Sequence, residues 1–67
     1  MIKFFFNGQE YFTNNDISIK NILLYFNYND ELFIIEYNGI ICSKNSWLNY
    51  IIKNNDRLEI ITIVGGG

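Results

Sequence analysis

The sequence predicts an α+β domain in which one main helix covers one face of a mixed sheet of four or five strands. Three observations carry that prediction. Two Asn-Gly dipeptides, Asn7-Gly8 and Asn38-Gly39, each sit between strand-like segments. One stretch, from Ile19 to Phe26, has its apolar residues at helical spacing. A chain of 67 residues has room for one hydrophobic core and lies near the lower size limit for folding without a metal or disulfide.

Taken in order, Ile2 to Phe6 and Gln9 to Thr13 read as two strands. Between them stands Asn7-Gly8, the dipeptide that best tolerates positive φ in a type I′ turn, so the segment is a β-hairpin. Asn14-Asn15-Asp16 breaks the pattern. Ser18 then stands where a hydroxyl can accept from an unpaired amide of a first helical turn. Ile19, Ile22, Leu23 and Phe26 follow at i, i+3, i+4 and i+7, which lays one apolar stripe along a helix and requires a sheet beneath it. After a loop from Asn27 to Asp30, Leu32 to Tyr37 is a third strand, and Asn38-Gly39 turns it into the apolar pair Ile40-Ile41. Trp47, Leu48, Ile51 and Ile52 are spaced as a short helical segment within Ser43 to Lys53. Asn54-Asn55-Asp56 is a turn, and Arg57 to Val64 is a final strand. The order is that of a β-grasp layout, with strand order left open. The expected organisation is one domain over residues 1–64 and a flexible glycine tail over residues 65–67.

Composition excludes several classes of function. Hydrophobic residues make up 49% of the chain, which separates it from disordered segments. The longest apolar run, Ile22 to Phe26, is far short of the roughly 20 residues of a membrane helix, so no membrane association is expected. Asn7 to Glu10 interrupts the apolar N-terminal run before a signal peptide could form, and no export is expected. The net charge is −2 and Lys3, Lys20, Lys44, Lys53 and Arg57 are scattered, which offers nothing to a nucleic-acid backbone. Cys42 is the single cysteine and histidine is absent, so neither an internal disulfide nor a Cys/His metal site is available and a reducing compartment fits. The abundance of Asn, Ile, Lys, Tyr and Phe, with no Ala or Pro, is the bias of AT-rich codons and points to a plastid or low-GC bacterial gene. On that ground, lone Asn residues carry little weight.

Few side chains invite chemistry. Cys42 lies beside Ile40-Ile41 with no base to deprotonate it and reads as a small core residue. Trp47 reads as packed against the sheet, with partner anchoring as the alternative. Asp16, Asp30, Glu31 and Asp56 fall in turn clusters and read as local amide acceptors. The exceptions are Gly65, Gly66 and Gly67. Three successive glycines gain nothing from folding, because Gly loses most backbone entropy on ordering and has no side chain to pack. Either the run is a chain end without a role, or it is a thread for a narrow channel. In the second case its terminal carboxylate could reach the α-phosphate of ATP about 10 Å beyond the domain. Ile61 and Ile63 lie opposite Leu58 and Ile60 on the last strand. These two form either an exposed patch beside the tail for docking an enzyme, with Val64 as a further docking candidate, or a surface buried within the protein or between two copies.

Three stretches carry a resemblance to a known family. They are Glu36-Tyr37-Asn38-Gly39-Ile40-Ile41-Cys42-Ser43-Lys44-Asn45-Ser46-Trp47, then Asn55-Asp56-Arg57-Leu58-Glu59-Ile60, then Ile63-Val64-Gly65-Gly66-Gly67. In this combination the chain resembles the ThiS family of sulfur carriers of thiamin biosynthesis. That family shows an Asn, a Val-Pro-Arg, a Trp, a Gly-Asp turn, an acidic residue in the last strand and a terminal Val-x-Gly-Gly. Cys42-Ser43-Lys44 departs from the Val-Pro-Arg, and Asn55 replaces the turn glycine but still tolerates the αL region.

The resemblance implies a ubiquitin-like fold and a carrier that is a protein co-substrate, not an enzyme, and binds no cofactor or metal itself. A ThiF-type adenylyltransferase would use ATP and Mg to adenylate the Gly67 carboxylate, with Gly65 and Gly66 threading its channel. A cysteine desulfurase, or another persulfide donor, would supply sulfur for a thiocarboxylate. The thiazole synthase ThiG would accept that sulfur. The implied setting is plastid stroma or bacterial cytoplasm. A molybdopterin-synthase-like small subunit and a ubiquitin-like protein modifier are the alternatives within the same fold.

Overall fold

The computed structural model describes residues 1–28 and 33–62. Strands β1 (Ile2–Phe6) and β2 (Gln9–Thr13) form the expected hairpin, with Ile2 opposite Thr13 and Phe6 opposite Gln9. Helix α1 (Ile19–Tyr25) follows, then β3 (Phe33–Tyr37), β4 (Ile40–Cys42) and β5 (Asp56–Thr62). The sheet order is β2-β1-β5-β3-β4. β5 lies parallel to β1 and antiparallel to β3, so the last strand is the central one. Of the earlier strand predictions, Leu32 and residues 63 and 64 lie outside the described residues.

Helix α1 begins where the sequence indicates, and its first turn is fully satisfied. Ser18 caps it: the Asn21 amide donates to Ser18 Oγ at 3.1 Å, and the Ser18 amide donates back to Asn21 Oδ1 at 3.0 Å. This reciprocal arrangement settles two amides that a helix start otherwise leaves unpaired. The Ile19 amide donates to the Tyr50 carbonyl at 3.1 Å and the Lys20 amide to the Trp47 carbonyl at 3.2 Å. At the far end, Asn27 takes φ 63°, the Tyr28 amide donates to the Leu23 carbonyl at 2.8 Å and the Asn27 amide to the Leu24 carbonyl at 3.1 Å. That is a Schellman stop with Asn in the place Gly usually takes. Ile19, Ile22 and Leu23 are buried against Phe4, Phe6, Ile35 and Leu58 of the sheet, while Phe26 is half-buried at the core's edge.

The connector between β4 and β5 corrects one expectation. Trp47, Leu48, Ile51 and Ile52 do not share a helical face. Only a 3₁₀ turn forms, over Lys44–Ser46, and the four side chains part: Trp47 and Ile52 are buried, Leu48 and Ile51 exposed. The connector is extended from Ile51 because its backbone serves α1. Ile51 bridges to Ser18, the Ile52 amide donates to the Ile17 carbonyl at 2.8 Å, and the carbonyls of Trp47 and Tyr50 take up the two helix amides above. A helical connector would have spent those carbonyls on its own amides.

Candidate functional site

β5 carries the chain toward residues 63–67, and Ile63, Val64, Gly65, Gly66 and Gly67 all lie outside the described residues. The structure therefore shows what holds and surrounds the strand leading to them. Ile61, the described member of the proposed docking patch, is 39% exposed on the face of the sheet opposite α1. It stands across from Ile34 in the β3–β5 register, next to the cross-strand pair of Glu36 and Glu59. Ile41, across from Glu36 on β4, is also exposed. This half of the outer face joins apolar side chains to two facing carboxylates. Like charges directly opposite each other lower sheet stability.

The other half of the outer face compensates its own charge. The Arg57 guanidinium lies 4.4 Å from the centre of the Phe5 ring, Lys3 Nζ approaches the same ring at 5.7 Å, and Lys3 pairs with Glu10 at 3.6 Å. Among the described residues, the apolar and acidic half around Ile61 shows no such compensation.

Asparagines hold β5 in place, which corrects the small weight assigned to them from codon bias. Among the described residues, every non-glycine residue with positive φ is an Asn: Asn7, Asn27, Asn38 and Asn55. Gly8 and Gly39 complete the two hairpin turns at φ 83° and 84°; a Cβ at either would meet open space, so positive φ and not room explains the glycine. Asn38 clamps the start of β5. Its amide donates to the Arg57 carbonyl at 2.8 Å, its Oδ1 accepts from the Arg57 amide at 2.8 Å, and its Nδ2 donates to Asp56 Oδ1 at 3.1 Å. Asp56 is buried and also accepts from the Tyr37 hydroxyl at 2.6 Å and the Lys53 amide at 2.7 Å. It is more than the local turn acceptor expected, because two of its partners come from the β3–β4 hairpin. Tyr37 responds: its phenol is pushed up to about 12, first by burial, then by donating to Asp56 and by that carboxylate's charge. On the β1 side, Asn54 Oδ1 accepts from the Lys3 amide at 2.9 Å, and Asn7 contacts β5 further along.

Two readings stand as made. Cys42 is buried and burial pushes its thiol pKa up, which suppresses the thiolate a sulfur nucleophile needs. Trp47 is buried, stacked on Phe33 at 5.6 Å, and its Nε1 donates to the Cys42 carbonyl at 3.3 Å. Asp30 and Glu31 lie outside the described residues. Among the described residues no cluster of His, Cys, Asp or Glu could hold a metal, and no helix is long and apolar enough to cross a membrane.

One helix packed on a five-stranded mixed sheet, with the last strand central, defines a ubiquitin-like β-grasp protein. The crystal structure of the thiamine biosynthesis protein ThiS from Geobacter metallireducens has this fold. It superimposes with a TM-score of 0.82 over 98% of this chain and 100% of its own, at 19% identity. The chain belongs to the ThiS family, whose sequence profile matches residues 4–67. It is also similar to the uncharacterized protein ycf40 of two algae. The Trieres chinensis protein is 53% identical over 96% of this chain and 88% of its own length, and that of Porphyra purpurea is 34% identical over 91% and 86%.

Proposed function

We propose that the protein is a sulfur carrier of thiamin biosynthesis whose C-terminal Gly67 carboxylate is converted to a thiocarboxylate. The observation that carries the reading is the family match through residue 67, which takes in Gly65, Gly66 and Gly67. In this mechanism a Gly67 carboxylate oxygen attacks the α-phosphorus of Mg-bound ATP on a ThiF-type adenylyltransferase, and pyrophosphate leaves. The acyl-adenylate is a good electrophile where the carboxylate was a poor one. The terminal sulfur of a persulfide, supplied by a cysteine desulfurase, attacks the acyl carbon and AMP leaves. A thiol then cleaves the resulting acyl disulfide, leaving the thiocarboxylate, a soft nucleophile that ThiG uses to build the thiazole. No side chain of this protein acts as acid or base, ATP and Mg belong to the activating enzyme, and Gly65 and Gly66 have no Cβ to obstruct a channel.

We assign docking to the outer face around Ile61, with Ile63 and Val64, which lie outside the described residues, as further candidates. The facing Glu36 and Glu59 reduce stability in the free protein and would be matched by a basic side chain of the activating enzyme. The bias toward AT-rich codons and the algal ycf40 relatives support the plastid stroma as the setting.

The test is the intact mass of the chain after incubation with a ThiF-type enzyme, ATP, Mg, a cysteine desulfurase, cysteine and a thiol. The expected gain is that of replacing one oxygen by sulfur, and it is absent when Gly67 is deleted. No gain with enzymes proven active on another carrier would overturn the reading in favour of a protein modifier or interaction domain.

A further inference from the structure

Asn7 makes a contact that neither hairpin closure nor the core requires. β1 and β5 run parallel, and their register ends with Phe6 opposite Leu58, where β1 turns away into Asn7-Gly8. β5 continues to Thr62. The Asn7 amide donates to the Leu58 carbonyl at 2.9 Å, and the Asn7 side-chain Oδ1 accepts from the Ile60 amide at 2.9 Å. The side chain thus supplies the acceptor that the next residue of a longer β1 would have supplied from its backbone. Beyond this rung, the described residues hold β5 through β3 alone, with Ile34 opposite Ile61 and Phe33 opposite Thr62. Among the described residues, Asn7 is therefore the last tether of β5 on the β1 side.

We infer that Asn7 is a positioning residue for activation of the C-terminus: its Oδ1 sets the direction in which β5 delivers the tail to the adenylyltransferase. The inference rests on the sulfur-carrier reading. The five positions after Thr62 can span at most about 17 Å, so a tilt of about 10° at the end of β5 moves the reachable end by about 3 Å. Attack on the α-phosphorus needs the carboxylate oxygen within about 3.5 Å of it. Freedom at Ile60, near the end of β5, lowers the fraction of docked carriers in that geometry, while Ile61 keeps its place opposite Ile34 on the docking face.

Asn7→Gly, read beside Asn7→Asp, tests this, because glycine accepts the positive φ of the turn and deletes the acceptor while also freeing the backbone. Hydrogen exchange at the Ile60 amide should rise about threefold, the protection an exposed bond of this kind gives, while the Arg57 amide, held by Asn38, keeps its protection. With a ThiF-type enzyme and Mg-ATP, pyrophosphate release at saturating carrier should fall about fivefold, with the half-saturating carrier concentration within twofold of the unaltered chain. Asn7→Asp should restore both readouts, since a carboxylate oxygen accepts the same bond and Asp tolerates the αL region. Unchanged Ile60 exchange in Asn7→Gly overturns the tether. Faster exchange with an unchanged rate overturns its role in activation while leaving the sulfur-carrier reading intact. No release from the unaltered chain overturns that reading, and this inference with it, whatever the exchange shows.

Discussion

The two Asn-Gly hairpin turns share a dipeptide and a backbone geometry, with Asn at φ 53° in both, yet they grip different parts of the same strand. Asn38 holds Asp56 and Arg57 at the start of β5; Asn7 holds Leu58 and Ile60 further along. The difference follows from strand direction. β3 runs antiparallel to β5, so its turn meets the strand near its beginning, whereas β1 runs parallel and its turn meets the strand on the way out. The environments differ as well. The Asn38 clamp closes over the buried Asp56 carboxylate, while the Asn7 bond is exposed. One turn is thus part of the core's polar fastening and the other guides the strand's exit, a division that the shared Asn-Gly sequence does not reveal.

The contrast can be broken most forcefully at Asp56. Asp56→Ala strands the Tyr37 hydroxyl, the Asn38 amide group and the Lys53 amide, and should cost about 3 kcal/mol in urea unfolding. For a domain whose total stability is expected to be about 3–10 kcal/mol, that is a large fraction. A cost below about 1 kcal/mol would show that water replaces Asp56 readily and that the start of β5 is not specially held.

Asn38→Gly and Asn7→Gly form a sharper pair, because both keep the turn backbone and delete only the side chain. Asn38→Gly should cost about 2 kcal/mol, since it removes one bond to a buried carboxylate and one to a strand amide. Asn7→Gly should cost under about 0.5 kcal/mol, because water can reach the exposed amide it leaves. Equal costs would abolish the distinction between a core clamp and an exit guide.

Tyr37→Phe falls between the two Asn variants at neutral pH, at about 1 kcal/mol for one hydrogen bond among the three on Asp56. Its signature is alkaline. Because the folded phenol titrates near 12 and the unfolded one near 10.0, the folded state retains the proton longer. The associated stability is whole below pH 10 and is lost as the pH rises toward 12. Thermal melts between those limits should show the decline in the unaltered chain and a shallower one in Tyr37→Phe. Parallel profiles would mean that Tyr37 is not coupled to the Asp56 clamp.

Most of the fold was legible because it rests on local patterns. The hairpin strands, the Ser18 cap, the Ile19, Ile22 and Leu23 stripe and both Asn-Gly turns follow from neighbours a few residues apart. The connector was misread because Trp47, Leu48, Ile51 and Ile52 fit helical spacing, and the competing use of its backbone lies on a helix some 30 residues earlier, where the carbonyls of Trp47 and Tyr50 meet Lys20 and Ile19. Asn7 escaped notice for a related reason. Discounting Asn as a product of codon bias is sound for composition but ignores that Asn alone combines tolerance of positive φ with a side chain shaped like a peptide group.

By itself the sequence determined one small α+β core, the places of its turns and helix ends, and the family to which the chain belongs, all of which depend on residue types and short spacings. Only the tertiary structure decided that β5 lies between β1 and β3 and that the outer face divides into a self-neutralised half and an apolar, acidic half. It also decided that Asn7 reaches Ile60 across 53 residues of sequence. Periodicity reports which face of an element is apolar; which strands become neighbours, and hence which side chains meet, follows from how those faces close over one core.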